Sequence, residues 1–320
     1  MICLSGDIGA SNSRLAILNI QAPASPVWLA QQVYINANFK NFEQVLTAFS
    51  ETHLLKIETA CFGVAGPVKN GQVTATNLPW TLSEIELSKF LNVQRTFLLN
   101  DLEAIAYGLP ALKPEEILEI LPGQKSTGNQ AVIAPGSGIG EAVLFWDGQR
   151  HRPFATEGGH CTFSPTSALQ SDLCHFLLKE HQHVSWERVL SGPGIFNIHR
   201  FLNEQNLTGG PQNSAELTER ALAGDASCLK VIDLFFEILA NEAGNLALKS
   251  LSLNGLFIAG GITPKLIKLM DMKKFAQNFY HKGRMSDLLK DIPVHLVLND
   301  LVGILGAARF AQLNSQSNAS

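Results

Sequence analysis

Several short stretches of this sequence carry side chains that could handle a phosphate or a sugar hydroxyl. The first is Gly6-Asp7-Ile8-Gly9-Ala10-Ser11-Asn12-Ser13-Arg14, an apolar run that ends in a tight turn. Backbone amides of a glycine-rich turn between strands can point at phosphate oxygens because no side chain stands in the way. Ser11, Asn12 and Ser13 would add donors. The same composition also suits an ordinary hairpin. Asp7 shifts the balance, because a carboxylate beside a bound phosphate repels it unless a cation stands between them. Asp7 therefore reads as a magnesium-side acid.

A second turn, Gly136-Ser137-Gly138-Ile139-Gly140-Glu141, echoes the first at a distance. It has glutamate where a dinucleotide fingerprint needs its third glycine, and no GxxxxGK[ST] occurs, which disfavours both an NAD site and a P-loop. Asn100-Asp101 stands where a strand hands over to a helix. Both residue types cap helices, yet the end of a strand in an α/β sheet is also where an aspartate can accept a hydroxyl proton beside an orienting asparagine. In TEGGHCTFSP, Glu157 and His160 flank Gly158-Gly159, so a carboxylate and an imidazole could converge on one small polar molecule; a plain exposed turn reads equally well. Glu187, in SWERVLSGPG, follows a Ser185 cap, where the helix dipole favours an acid regardless of function. The combined inventory suits a sugar and ATP.

The elements that must position these residues follow from pattern. Residues 2–5, 14–20 and Val27–Ile35 read as an antiparallel meander. A helix is expected at Phe42–His53, a buried strand at Thr59–Val64, and an Asn70-Gly71 hairpin turn leading into Gln72–Thr76. Thr81-Leu82-Ser83-Glu84 matches a capping box for a helix to about Leu91. A strand at Arg95–Leu99 precedes a helical region over 102–112. Ala131–Pro135 and Ala142–Trp146 flank the second turn. Ala168–Ser250 is mostly helical by period, with Asp225–Ser250 the longest helix and a kink expected near Gly244. Gly255–Ala259 is a short strand ending in Gly260-Gly261, Pro293–Leu298 is the last strand, and Leu301–Leu313 is a closing helix before a frayed tail at Asn314–Ser320.

At 320 residues, 46 % of them apolar, the chain is long enough for two domains. A formal charge of −4 leaves no cationic excess to hold nucleic acid or an acidic membrane. Five scattered cysteines without metal-like spacing suggest reduced thiols in a cytoplasm. The opening residues lack a signal-peptide pattern, and no window offers the ~20 apolar residues a bilayer requires.

GDIGASNSRLAI, LLNDLEAIA, EGGHCTFSP, ERVLSGPG and GLFIAGGI, in this order, resemble the blocks of the bacterial glucokinase family, within the actin, Hsp70 and sugar kinase superfamily. The resemblance implies two ribonuclease-H-like (actin-like ATPase) α/β domains flanking a cleft, a small one of residues 1–109 plus 301–320 and a large one of residues 110–300. It implies that Gly6, Asp7, Ile8, Gly9, Ala10, Ser11 and Asn12 grip the ATP phosphates together with Gly136, Ser137 and Gly138, that Gly260-Gly261 lies beside the adenosine, and that Mg²⁺ is required. Asp101 matches the general base toward the 6-hydroxyl of glucose, and Asn100, Asp101, Glu157, His160 and Glu187 match the sugar-binding set. Asn77-Leu78-Pro79-Trp80 resembles a nearby loop. A cytoplasmic homodimer acting on glucose and ATP is the implied whole.

Departures from the family pattern are Ala10-Ser11 where Gly-Thr is usual, and Ser137 where Thr is usual. The Ala10 methyl would be strained if that position needed a positive φ, or could crowd a phosphate. The CxCGxxGCxE zinc element of the ROK group is absent, which leaves a ROK-like kinase of another hexose as the alternative enzyme. A sugar-sensing regulator is the rival of another class; such relatives carry a helix-turn-helix ahead of the first strand, whereas this sequence enters a strand at once.

Overall fold

A computed structural model describes residues 1–21, 26–53, 55–75, 79–124, 126–203 and 210–315. The chain divides into two compact units, Met1–Pro114 with Asn299–Ser320, and Glu115–Leu298. Both are α/β, and each is built on a mixed sheet.

In the first unit, β1 (Ile2–Ile8), β2 (Asn12–Asn19) and β3 (Val27–Ile35) form an antiparallel meander. After α1 (Phe42–Thr52), β4 (Thr59–Val64) joins β1 in parallel. β5 (Gln72–Thr74) and β6 (Thr81–Ser83) make a separate two-stranded ribbon, followed by α2 (Glu84–Leu91), β7 (Thr96–Asn100) and α3 (Asp101–Gly108). The sheet order is β3-β2-β1-β4-β7.

Alternation along β1 decides what faces where. Leu4 and Ile8 pack with Phe42, Val45, Leu46 and Phe49 of α1, whereas Cys3 belongs to the opposite core. Asp7, on the Cys3 side, is thereby aimed away from α1. Each fully buried Phe or Leu of this kind contributes about 1.5–3 kcal/mol.

The second unit contains β8 (Ile117–Leu121), β9 (Gln130–Pro135), β10 (Ile139–Trp146) and β11 (His151–Thr156). Four helices follow, α4 (Ala168–Leu178), α5 (Gly192–Leu202), α6 (Ser214–Leu222) and the 25-residue α7 (Ala226–Ser250). The unit closes with β12 (Leu256–Ile258), α8 (Thr263–Leu266), α9 (Met272–Tyr280), α10 (Ser286–Lys290) and β13 (Val294–Val297). Its sheet order is β11-β10-β9-β12-β13-β8. Strands β9 to β11 again form an antiparallel meander, with β12 parallel to β9 and β13 parallel to β12. The plan of the first sheet is thus repeated, with β8 added at the edge.

The chain then returns to the first unit as α11 (Val302–Ser315). Its Ile304, Leu305, Ala307, Ala308 and Ala311 complete the core that Cys3, Cys61 and Leu99 begin. It meets α3 backbone to backbone: a methyl on Gly306 would stand 1.7 Å from the Ala104 carbonyl oxygen.

Several local expectations are corrected. Thr81 belongs to a strand, and Ser83 caps α2 through the Glu86 amide, because pairing with β5 claims Thr81–Ser83. Glu84 accordingly accepts from the Leu98 amide instead of closing a capping box. The Asn70-Gly71 turn forms, both residues having positive φ, with a Lys69–Gln72 bridge across it, and the strand it leads into pairs with β6. Gly244 lies inside the span of helix α7. Close packing explains this glycine, since a methyl there would lie 2.7 Å from the Phe279 carbonyl oxygen. Ser185 makes no capping bond, and Glu187 lies in a single 3₁₀ turn, Trp186–Arg188, so the dipole account of Glu187 fails. Of the Asn77-Leu78-Pro79-Trp80 loop, Asn77 and Leu78 lie outside the described residues, as do Thr76 and residues 316–320.

Candidate active site

In the first unit the glycine turn spans Gly9–Ser11, between β1 and β2. The Gly9 amide donates to the Asn12 carbonyl oxygen at 3.0 Å. Buried Asn36 clamps the turn from outside: its Nδ2 donates to the Gly9 carbonyl at 2.8 Å, its Oδ1 accepts from Ser13 Oγ at 2.7 Å, and its amide donates to the Ser11 carbonyl. Asn36 is a lone polar residue 25 positions beyond Ser11, the turn's last residue, and only the β2–β3 register brings it there.

Ser11 and Asn12 are exposed, with Ala10 and Gly9 partly so. Ala10 is not among the residues with positive φ, so its methyl costs no backbone strain. Gly6 serves packing: a methyl there would lie 2.7 Å from Leu15 Cδ2 and 2.8 Å from Phe62 Cδ1.

Asp7 stands opposite Arg14 in the β1–β2 register. Its carboxyl is about 3.8 Å from where a methyl on Gly303 would be, at the start of α11. Burial raises its pKa above the usual carboxylate value, Arg14 opposes that rise, and Asp300 adds to it. Arg14 itself is tied to the Asp300 carboxylate at 2.8 Å. A carboxylate so placed is short of positive charge, which is what a cation would supply.

Register brings Asn100 and Asp101 to the same edge. Ile8, Val64 and Asn100 are consecutive partners across β1, β4 and β7, all running in one direction. At ~4.8 Å per strand, the ends of β1 and β7 are roughly 10 Å apart. The phosphate-type turn and Asn100-Asp101 therefore leave one sheet from one edge. Asn100 does cap α3, its Oδ1 accepting from the Leu102 and Glu103 amides, while Nδ2 donates to the Gly66 carbonyl at 3.2 Å. Its amide carries two N–H groups, so one such bond does not exhaust it. Asp101 opens α3, and its Oδ1 accepts from the Leu102 amide at 2.9 Å.

The second unit builds its turn with backbone. The Gly136 amide donates to the Gly138 carbonyl, and the Gly192 amide, at the start of α5, donates to the Gly136 carbonyl, both at 2.8 Å. Glu187 lies against Gly138, where a methyl would be 2.4 Å from its Oε2. Gly260, with positive φ, rests on the Pro135 carbonyl, and Gly261 beside it meets nothing within 4 Å of an added methyl. Both therefore stand at the end of β9, next to the Gly136 turn.

Glu157 and His160 flank a 3₁₀ turn, Gly158–His160, with His160 Nε2 3.8 Å from Glu157 Oε2 and both side chains about half exposed. A Thr162–Ser185 bridge and a Trp186 amide bond to the Cys161 carbonyl at 3.1 Å join this turn to the one bearing Glu187. Glu157, His160, Glu187 and the Gly136–Gly138 turn thus form one neighbourhood in the second unit, as Asp7, Gly9–Asn12, Asn100 and Asp101 do in the first.

Among the described residues, no three His, Cys, Asp or Glu side chains gather in a metal-binding group. Mg²⁺ keeps several waters and is typically bound through one or two carboxylates plus substrate phosphates. Asp7 fits such a role.

A family model described as Glucokinase matches residues 4–314. The curated glucokinase of Nostoc sp. (strain PCC 7120 / SAG 25.82 / UTEX 2576) is 35 % identical, the match covering 96 % of this chain and 98 % of that one. The crystal structure of a glucokinase from an Antarctic psychrotroph superposes with a TM-score of 0.83 at 33 % identity, covering 98 % of this chain and 99 % of that one. A ROK family glucokinase from Streptomyces griseus, solved in complex with glucose and AMPPNP, shares the fold with a TM-score of 0.67 at 18 % identity, over 98 % of this chain and all of that one.

Proposed function

The chain belongs to the glucokinase family and is an ATP-dependent hexose kinase, and from this we propose that Asp101 is the base that takes the proton of the glucose 6-hydroxyl. The hydroxyl oxygen forms a bond to the γ-phosphorus, the bond from that phosphorus to the β,γ-bridging oxygen breaks, and the proton passes to the Asp101 carboxylate. Glucose 6-phosphate and ADP result.

The observation that supports this most is the shared edge of β1, β4 and β7, which delivers Asp101 and the Gly9–Asn12 turn from the same side of one sheet. Phosphoryl transfer relies mainly on positioning and charge neutralisation, and a positioned base adds about 10²–10⁴-fold. Asn100 Nδ2 orients the attacking hydroxyl, and Glu157, His160 and Glu187 hold the others. Gly9–Asn12 and Gly136–Gly138 offer amides to the ATP phosphates, and Gly260-Gly261 faces the adenosine. Asp7 would hold Mg²⁺, directly or through water; the ion would neutralise charge on the phosphates. The Streptomyces protein's glucose and AMPPNP are in keeping with this division.

The two units are read as ribonuclease-H-like domains, a small one and a large one. We place the enzyme in the cytoplasm, in keeping with five free cysteines, and take it to act as a homodimer. The deciding assay follows glucose 6-phosphate with ATP and Mg²⁺ present. Tight glucose binding without ADP release would instead identify a sugar-sensing protein.

A further inference from the structure

Beneath the turn that carries Glu157 and His160 lies a carboxyl group that the reaction does not use. Glu141 in β10 is 1 % exposed, and Glu242 in α7 is fully buried. The two side chains are within hydrogen-bonding reach of each other. Glu242 is already engaged, accepting from Lys249 Nζ and Asn245 Nδ2 at 2.8 Å each. Glu141 Oε1, in contrast, finds no N–H or O–H donor. Two carboxylates touching in a dry site cannot both stay ionised at low cost, and a proton between them satisfies the orphaned oxygen.

The turn rests directly on this group. A methyl on Gly158 would stand 1.9 Å from Glu141 Oε2, so the Gly158 backbone lies against the carboxyl. Thr156 ties the same residues together, its Oγ1 donating to the Glu141 carbonyl at 3.0 Å and accepting from the Gly158 amide at 3.2 Å. We propose that Glu141 is a positioning residue for the sugar: as a neutral carboxylic acid it donates to Glu242 and supports the Gly158-Gly159 turn, holding Glu157 and His160 in place.

Burial first, and the Glu242 charge second, push the Glu141 acid well above the usual carboxylate range, with Lys249 opposing them. The other charged or titratable groups facing this site are Lys282, whose ammonium donates to the Asn241 carbonyl, and Cys161, which acts on Lys249. Deprotonation of Glu141 in mildly alkaline solution would leave two adjacent negative charges under the turn. Glucose binding should weaken there, while ATP binding should not.

This rests on the reading that Glu157 and His160 bind glucose, and the test separates the two. Glucose and ATP KM are measured from about pH 7 to about pH 9 in wild type, Glu141→Gln and Glu141→Leu. The glutamine keeps the shape and an N–H donor for Glu242. It should keep a wild-type glucose KM near neutrality and abolish the alkaline rise; the leucine should raise glucose KM about 10-fold throughout with ATP KM unchanged. The infrared difference spectrum of wild type minus Glu141→Gln should show a protonated carboxyl band near neutrality that fades at alkaline pH. Absence of that band, or identical pH profiles in wild type and Glu141→Gln, overturns the proposal. Unchanged glucose KM in Glu157→Gln and His160→Ala overturns the underlying site reading instead, and the infrared band still reports the proton.

Discussion

The two glycine turns occupy the same place in two sheets of the same plan, yet they are held by different means. Gly9–Ser11 is clamped by a side chain, Asn36, reaching in from the far end of β3. Gly136–Gly138 is held by backbone, through Gly192, with Glu187 pressed against Gly138. The first turn carries the Ala10 methyl, whereas in the second a methyl at Gly138 would meet the Glu187 carboxylate. The departure from the glycine pattern at Ala10 is tolerable because that position needs no positive φ.

The contrast extends to chemistry. The first unit supplies the aspartates at its strand ends, and the second supplies most of the side chains assigned to the sugar. Asp101→Asn tests this most severely: kcat should fall by about 10²–10⁴-fold or more, with glucose affinity by calorimetry nearly unchanged. A small loss in kcat would move the base elsewhere.

Gly138→Ala comes next. Its methyl would displace the Glu187 carboxylate, and loss of the charged hydrogen bond proposed between Glu187 and glucose, ~1.5–3 kcal/mol, should raise glucose KM by roughly 10- to 100-fold. Gly9→Ala, whose methyl would find its nearest neighbour at 3.4 Å, should be mild. Equal effects at both glycines would dissolve the distinction. Asn36→Ala should cost about 1–3 kcal/mol of stability from the buried partners it leaves unpaired, and raise ATP KM a few-fold without touching glucose KM. Steady-state kinetics beside thermal melts will show whether the clamp acts on the nucleotide side alone.

The smallest effect is expected at Glu103, two residues beyond Asp101 in α3. Burial pushes its carboxyl up to about 7. The folded state therefore holds this proton more tightly than the unfolded chain. The corresponding stability is present below the ordinary glutamate range and is lost as pH rises through about 7. Glu103→Gln should flatten that part of the stability–pH curve, as read by denaturant midpoints; an unchanged slope would mean the carboxyl is hydrated.

Much of this was legible in the residues. Both turns, the strands directly flanking them, the first meander and the Asn100-Asp101 handover follow from local pattern, because glycine, asparagine and alternating apolar residues act over a few positions; β11 did not show. What escaped depends on distant partners. Asn36 acquires its role only through the β2–β3 register, and Glu141 showed only as a missing glycine until α7 brought Glu242 against it. The Thr81 capping box failed for the same reason: β5 competes for those residues and moves the cap to Ser83.

The return of α11 to the first unit has a consequence for how the chain emerges during synthesis. The unit that begins first is completed last, because α3 must wait for the closely approaching Gly306 and for the apolar face around Ile304. The second unit, continuous from Glu115 to Leu298, has every strand of its sheet in hand before then. A released chain ending at Leu298 should thus show a protease-resistant second unit while the first is still open to cleavage. The unit whose synthesis starts first is thus expected to finish folding last.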